Sequence, residues 1–306
     1  MKGRVYALAV LFAINAMNFF DRQIGGALAE PIRKEWGLSD SALGALGTAF
    51  TLLYAFIGVP LGRLSDRSSR KRILGVAVFF WSLLTAVAAL TRNFWQMFAA
   101  RLGVGAGEAA CAPAATSLIG DLFPPAQRAR AMSVFMLGLP IGVALSYLVS
   151  SFVAHAWGWR AAFLVAGVPG IFCAIAARFI EEPPRMPRES APAGPWRTLL
   201  TIPTLWWLIL SGALHNFNMY ALGTFLAPLL MRYHGATLRQ AGLMAMLSFG
   251  LSGVPGLLIG GALADRASQR SKSGRLIVGA FAILISIPLL LVALSRPPHD
   301  AVRFVL

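Results

Sequence analysis

Acidic side chains are scarce in this chain: 12 Asp and Glu stand against 27 Lys and Arg in 306 residues. Charge of either sign accounts for 13% of the residues, against about 25% in a soluble globular domain. With 57% hydrophobic residues and a mean hydropathy of +0.68, that deficit excludes an ordinary soluble domain and leaves a polytopic, all-α membrane protein. Cysteine is nearly absent as well. Cys111 and Cys173 both lie in apolar runs, where a free thiol behaves as a small hydrophobe, so no disulfide is expected. Four scattered histidines lack the spacing of metal ligands, so no metal is expected. The glycines at 103, 105 and 107 follow no soluble strand, which excludes a dinucleotide loop and favours close helix packing instead. No nucleophile sits beside a base in any recognisable pattern, so neither an enzyme nor a cofactor is expected.

The excess of positive charge has an owner other than nucleic acid, because no soluble basic stripe interleaved with aromatics is present. With the N-terminus on the cytoplasmic side, 17 of the 27 Lys and Arg fall in loops on that side and 8 on the other; Arg22 and Arg101 lie inside apolar segments. That asymmetry is the positive-inside pattern and gives the orientation. The expected location is a bacterial inner membrane, and a monomer is expected.

Nine apolar segments are each long enough to cross ~30 Å of hydrocarbon as a helix: residues 5–28, 41–64, 73–91, 94–119, 129–154, 161–180, 203–230, 239–263 and 276–295. The first resembles a signal peptide, with Lys2 and Arg4 ahead of an apolar core and the triplet Ala27-Leu28-Ala29. Asp21 and Arg22 interrupt that run and eight spans follow, so it reads as an uncleaved helix. Residues 181–197, rich in proline and charge, read as a cytoplasmic linker between residues 1–180 and 198–306. After Ser295-Arg296-Pro297-Pro298 the chain reaches Leu306 where a tenth helix would begin.

Polar groups inside apolar spans are functional candidates by default, since leaving a charge in lipid costs about 3 kcal/mol. In the first span Asn15, Asn18, Asp21, Arg22 and Gly25 recur at helical spacing; they face a cavity, or else Asp21 and Arg22 snorkel to the outer interface. In the fourth, Arg101 and Glu108 are two turns apart on one face, about 10 Å along the axis. They are either functional or a fixed ion-pair scaffold. In the seventh, His215, Asn218 and Tyr220 either line a substrate path or hydrogen-bond between helices.

Two loops repeat. Gly62-Arg63-Leu64-Ser65-Asp66-Arg67-Ser68-Ser69-Arg70-Lys71 resembles the loop 2-3 signature of the major facilitator superfamily. Gly261-Ala262-Leu263-Ala264-Asp265-Arg266, 199 residues further on, resembles its weaker echo in loop 8-9. Asn18-x-x-Asp21-Arg22, Trp81-Ser82-x-x-Thr85, Arg101-x-x-x-Gly105-x-Gly107-Glu108-Ala109 and Trp157-Gly158-Trp159-Arg160 are similar to the spinster-like branch, closely from Asn18 to about Gly170.

The resemblance implies a fold of two six-helix halves around a midplane cavity, of which this chain supplies the first half and three helices of the second. It implies a proton-coupled carrier of lysolipids or related amphiphiles, with Asp21 and Glu108 as proton carriers. Asn18, Arg22 and Arg101 would bind an anionic headgroup, or the two arginines would tune the carboxylates. Gly62, Asp66, Arg67, Arg70 and Lys71 would form one cytoplasmic latch and Gly261, Asp265 and Arg266 a second. The second is expected to meet Arg128 and Arg130; the first lacks its usual partner, the eleventh helix. An organic-anion symporter of the same superfamily, which shares Gly-x-x-Glu-Ala at Gly105 to Ala109, and a non-transporting fragment are the alternatives.

Overall fold

Hydrocarbon offers backbone amides no hydrogen-bond partner, so an apolar run must satisfy them within itself and therefore coils into a helix. The computed structural model describes residues 2–184, 197–271, 273–295 and 297; most of the linker and the residues after Pro297 lie outside it. The helices are α1 (Lys2–Ala27), α2 (Ala29–Trp36), α3 (Asp40–Arg67), α4 (Arg70–Ala88), α5 (Phe94–Glu108), α6 (Cys111–Leu122), α7 (Pro125–Met136) and α8 (Gly138–Arg178). The short α9 (Arg197–Leu200) is followed by α10 (Pro203–Arg232), α11 (Leu238–Ala245), a π-helical turn (Met246–Leu251), α12 (Gly253–Arg270) and α13 (Gly274–Leu294).

Local chemistry sets the ends. Ser39, Ser69 and Asn93 each cap a helix by accepting a backbone N–H three residues on, and Thr237 with Gln240 forms a reciprocal capping box. Gly158, at φ 83°, breaks α8 between Trp157 and Trp159, a backbone region open to glycine at no steric cost. The fourth span breaks at Ala109–Ala110, between α5 and α6. Pro113 explains this: it has no N–H for the Ala109 carbonyl and its ring crowds that turn.

Eight stretches have the length and composition to cross a membrane, from Gly3–Ala27 to Gly274–Leu294. The ninth expected span is α10, 30 residues long and so ~45 Å; its hydropathy is diluted by His215, Asn216 and Asn218. The expected boundaries are met within about four residues, except that the eighth span runs on to Arg270, seven residues past its expected end. What the sequence did not announce is α2, an amphipathic helix that continues from the first span after a break at Leu28, with Ala29, Glu30 and Ile32 buried and Gly37 closing it in the left-handed conformation.

Glycines set the spacing inside the bundle. In α5, a Cβ on Gly105 would fall 2.4 Å from the Phe50 carbonyl of α3, and one on Gly107 would fall 3.0 Å from Trp81 of α4. The alternating glycines thus seat α5 between two helices at once, as the sequence suggested.

The later helices touch the first eight at one end only. The second half of α10 is buried at Gly223, Leu226, Ala227, Pro228 and Leu230, packing with Ala27, Val143 and Tyr147. Its first half is exposed, and α12 has no buried residue. The bundle is therefore closed at the face that carries α2 and splayed at the face that carries the basic loops.

Loop 2-3 also departs from expectation. Arg70 is 1% exposed and turns inward, donating to Asp121, to Glu182 at 3.1 Å and to the Ser117 hydroxyl at 3.1 Å. It ties the start of α4 to the end of α6 and to the chain leaving α8. Burial acts to raise the Glu182 pKa, but hydrogen bonds from Ser69 and from the Arg70 amide and side chain hold it below its ordinary value. Asp66 and Arg67 are exposed and make no ion pair among the described residues. Asp265 pairs with Arg275 at 3.1 Å, both about 70% exposed, rather than with Arg128 or Arg130, so the expected second latch is not formed in this conformation. Removing Arg70 leaves two carboxylates without their counter-ion; Arg70→Gln should cost about 3 kcal/mol. The check is a lower thermal unfolding midpoint in detergent, with Arg67→Gln close to unchanged.

Candidate functional site

The buried Arg101 and the half-buried Arg22 meet two buried acids where α1 crosses α5. Breaking the fourth span immediately after Glu108 places that carboxylate against α1, where it accepts from Arg22 Nε at 2.9 Å. Glu108 is 0% exposed; its second oxygen has no hydrogen-bond partner. Arg101, two turns earlier, does not touch Glu108. It donates to the backbone carbonyls of Asp21 at 2.7 Å and Arg22 at 3.3 Å, clamping α5 to the first span.

Aromatic rings surround the Arg22 guanidinium. Its Cζ lies 4.5 Å from the Tyr54 ring centroid and 4.8 Å from that of Phe19. Phe50 lies between both arginines, 5.4 Å from Arg22 and 5.2 Å from Arg101. A desolvated cation gains about 2 kcal/mol from such a face, which offsets part of the burial cost. Asp21 points the other way, towards Trp81 and Thr85 of α4. Neither completes a hydrogen bond of normal geometry, and Asp21 Oδ1, Asn18 Nδ2, Trp81 Nε1 and Thr85 Oγ1 are all buried without partners. Buried polar atoms in such a group are where an ordered water or a proton belongs.

Arg22 also lines a cavity of about 820 Å³ between α1, α3 and α10. Thr51 and Tyr54 face it from α3, and Asn216, Tyr220 and Thr224 from α10. Above it the halves meet. A Cβ on Gly26 would fall 1.9 Å from the Gly223 carbonyl oxygen, and Tyr147 Oη donates to that same oxygen at 2.7 Å. Beyond this contact Arg232 bridges Glu30 at 2.6 Å and Asp40 at 2.7 Å. These contacts hold the helices together on the α2 side of the cavity, while the first half of α10, on the side of the basic loops, is exposed.

A buried ion pair beside a cavity between helices from both ends of the chain is the arrangement against which comparison with known proteins is set. Residues 11–303 match the family description "Major Facilitator Superfamily". The chain belongs to the Major Facilitator Superfamily. The crystal structure of a bacterial homolog of the human lysosomal transporter spinster, described as inward-facing and unoccupied, superposes with a TM-score of 0.82 at 30% identity, covering 99% of this chain and 71% of that one. Protein spinster homolog 1 of Xenopus laevis is 37% identical over 188 residues, 60% of this chain and 36% of that protein. The probable L-galactonate transporter of Escherichia coli K12 is 31% identical over 277 residues, 85% of this chain and 61% of that protein. The chain thus spans 36% and 61% of the length of these two relatives, and it is a spinster-like member of the superfamily, built as a multi-pass membrane protein.

Among the residues nominated from sequence, Asn18, Asp21, Arg22, Arg101 and Glu108 come together. Tyr220 joins them through the cavity. His215 and Asn218 do not: both are exposed on other faces of α10, and Asn216 between them takes the cavity position. The loop residues Gly62, Asp66, Gly261 and Asp265 lie at the splayed end. Sequence reasoning gave no role to Phe50 and Tyr54, which look like ordinary residues of an apolar run, or to Trp81 and Thr85, visible only as part of a motif. It also passed over Glu30, Asp40 and Arg232, three of the few charges on their face.

Burial acts to raise the Glu30 pKa, but hydrogen bonds from Arg33 and Arg232 hold it below its ordinary value. A lowered carboxylate stabilises the closed face above its ordinary value and loses that contribution as pH falls through the lowered one. Arg232→Gln should therefore widen the closed face at neutral pH, and acidification into the carboxylate range should do the same to the wild type. The readout is the distance between spin labels at Lys34 and Tyr233, which lengthens in both cases.

Proposed function

We propose that this chain forms part of a secondary active transporter that moves an anionic or amphipathic small molecule, such as a lysolipid, together with protons by alternating access. The observation that carries it is the Arg22–Glu108 pair, 2.9 Å long and fully desolvated on the Glu108 side, with its cation exposed to the cavity. In a low-dielectric site an unpaired charge is expensive, so the site favours neutral combinations. Arg22 can be balanced by ionised Glu108, or it can be balanced by a substrate anion while Glu108 holds a proton. Anion and proton then enter or leave as a unit, and the exchange is the coupling.

Asp21, buried opposite Trp81 and Thr85, is a second proton site in this scheme. Arg101 positions the Asp21–Arg22 turn, Asn18 and Tyr220 add polar contacts to the substrate, and the aromatic rings at Phe50 and Tyr54 hold Arg22 in reach of both partners. With the amino terminus in the cytoplasm of a bacterial cell, the open end faces inward. Arg232 with Glu30 and Asp40 then forms the outer gate. The loops at Asp66 and Asp265 latch the inner face when the halves rock the other way.

A second substrate class has its own support: the L-galactonate transporter relative matches more of this chain than the spinster relative does, and a sugar-acid carboxylate suits the same arginine. Proteoliposomes carrying the protein, with and without a pH gradient, decide between them when offered lysolipids, sphingoid bases and sugar acids. Glu108→Gln should abolish gradient-driven flux while leaving substrate exchange measurable, a split expected of a coupling residue. Unchanged gradient-driven flux in Glu108→Gln would refute the coupling role. Flux of sugar acids alone would transfer the assignment to the symporter, and no flux of any kind would leave a non-transporting fragment.

A further inference from the structure

We propose that a cleft between α3 and α4, on the outer side of the first bundle and separate from the central cavity, seats an anionic phospholipid. One acyl chain lies in the cleft and the phosphate rests at Arg72. The inference is independent of what the central cavity carries.

The cleft follows from the wedge that α5 makes. Although α3 and α4 are joined by only Ser68 and Ser69, the two helices diverge, because α5 packs Gly105 against α3 and Gly107 against α4. Where the fourth span breaks, the end of α5 and the residue before α6 present Ala106, Gly107 and Ala110, side chains too short to fill the gap. What remains is a space of about 530 Å³ with these small residues as its floor, within the usual range for a small-molecule site.

Its walls are apolar and its mouth is open to the surroundings. Leu64 from α3 and Val76 and Phe80 from α4 line it while remaining 48%, 65% and 49% exposed. The one charged residue lining it is Arg72, which is exposed and makes no ion pair among the described residues. This contrasts with Arg70, two residues earlier, which Asp121 and Glu182 neutralise. Arg63, Arg67 and Lys71 are sequence neighbours of its lining residues, with Asp66 the one acid among residues 63–72; Glu182, which accepts from the lining residue Ser69, is already paired with Arg70. An unbalanced cationic rim at the end of an apolar slot, at the depth where a spanning helix leaves the hydrocarbon, matches an amphiphile with a negative head and an alkyl tail. The bilayer supplies that molecule as an anionic phospholipid, and basic residues at the membrane surface attract it.

The test is native mass spectrometry of the delipidated protein titrated with dioleoyl phosphatidylglycerol or dioleoyl phosphatidylcholine. Phosphatidylglycerol should be retained in preference. Arg72→Gln, a surface change that leaves the fold intact, should weaken that retention on the order of fivefold, the effect of one surface charge. Ala106→Leu, which fills the floor, should reduce retention of both lipids. Glycerol 3-phosphate, the head without the tail, should not compete. Equal retention of the two lipids by the wild type, wild-type retention by Arg72→Gln, or competition by glycerol 3-phosphate would overturn the proposal. The last outcome would mark a soluble phosphate as the ligand instead.

Discussion

A charge removed from water must find its opposite or lose its charge, and the interior of this bundle is arranged around that constraint. Arg22 and Glu108 answer it for each other, Arg101 answers it with backbone carbonyls, and the rings of Phe19, Phe50 and Tyr54 cover what remains. An apolar residue at any of these positions would cost the fold less. Their presence inside spanning helices is therefore the strongest physical reason to read the cavity as a working site, since a purely structural bundle has no need of them.

The same constraint is met differently at the two ends of the molecule. At the closed end, Gly26, Gly223 and Tyr147 bring backbones into contact, and Arg232 neutralises two acids across the seam. At the splayed end, Arg70 spends its charge within the first bundle, and Asp265 pairs with its neighbour Arg275 across water. Exposed pairs of the latter kind contribute about 0–1 kcal/mol, so this end is held mainly by helix packing near the closed end.

Much of the architecture was legible in the residues because its causes are local. Span lengths follow from apolar runs, their ends from Ser, Asn, Thr and Gly caps, and the break beside Glu108 from Pro113. The glycines at 103, 105 and 107 announced close packing, and the loop signature announced the family. The roles of Phe50, Tyr54 and Asn216 were not legible, because an aromatic or amide in an apolar helix carries no mark of which neighbour it will face. That His215 and Asn218 lie outside the cavity lining was not legible for the same reason. A span rich in polar groups shows that one face lines a path, but the rotation that selects the face is set by packing against α1 and α3. Loop arginines also look alike in sequence, yet Arg70 is buried in an ion-pair cluster while Arg72 stands exposed.

By itself the sequence determined that the chain spans a membrane repeatedly as helices, that its basic loops lie on one side, and that acids and arginines must share the interior. These follow from transfer energies and backbone hydrogen bonding, which depend on each segment alone. Only the tertiary structure decided that Glu108 pairs with Arg22 and not with Arg101, that Asp21 faces α4, and which end of the cavity is shut. Those outcomes depend on how helices distant in the chain rotate and cross, and that is fixed by the fit of small residues against backbone between helices.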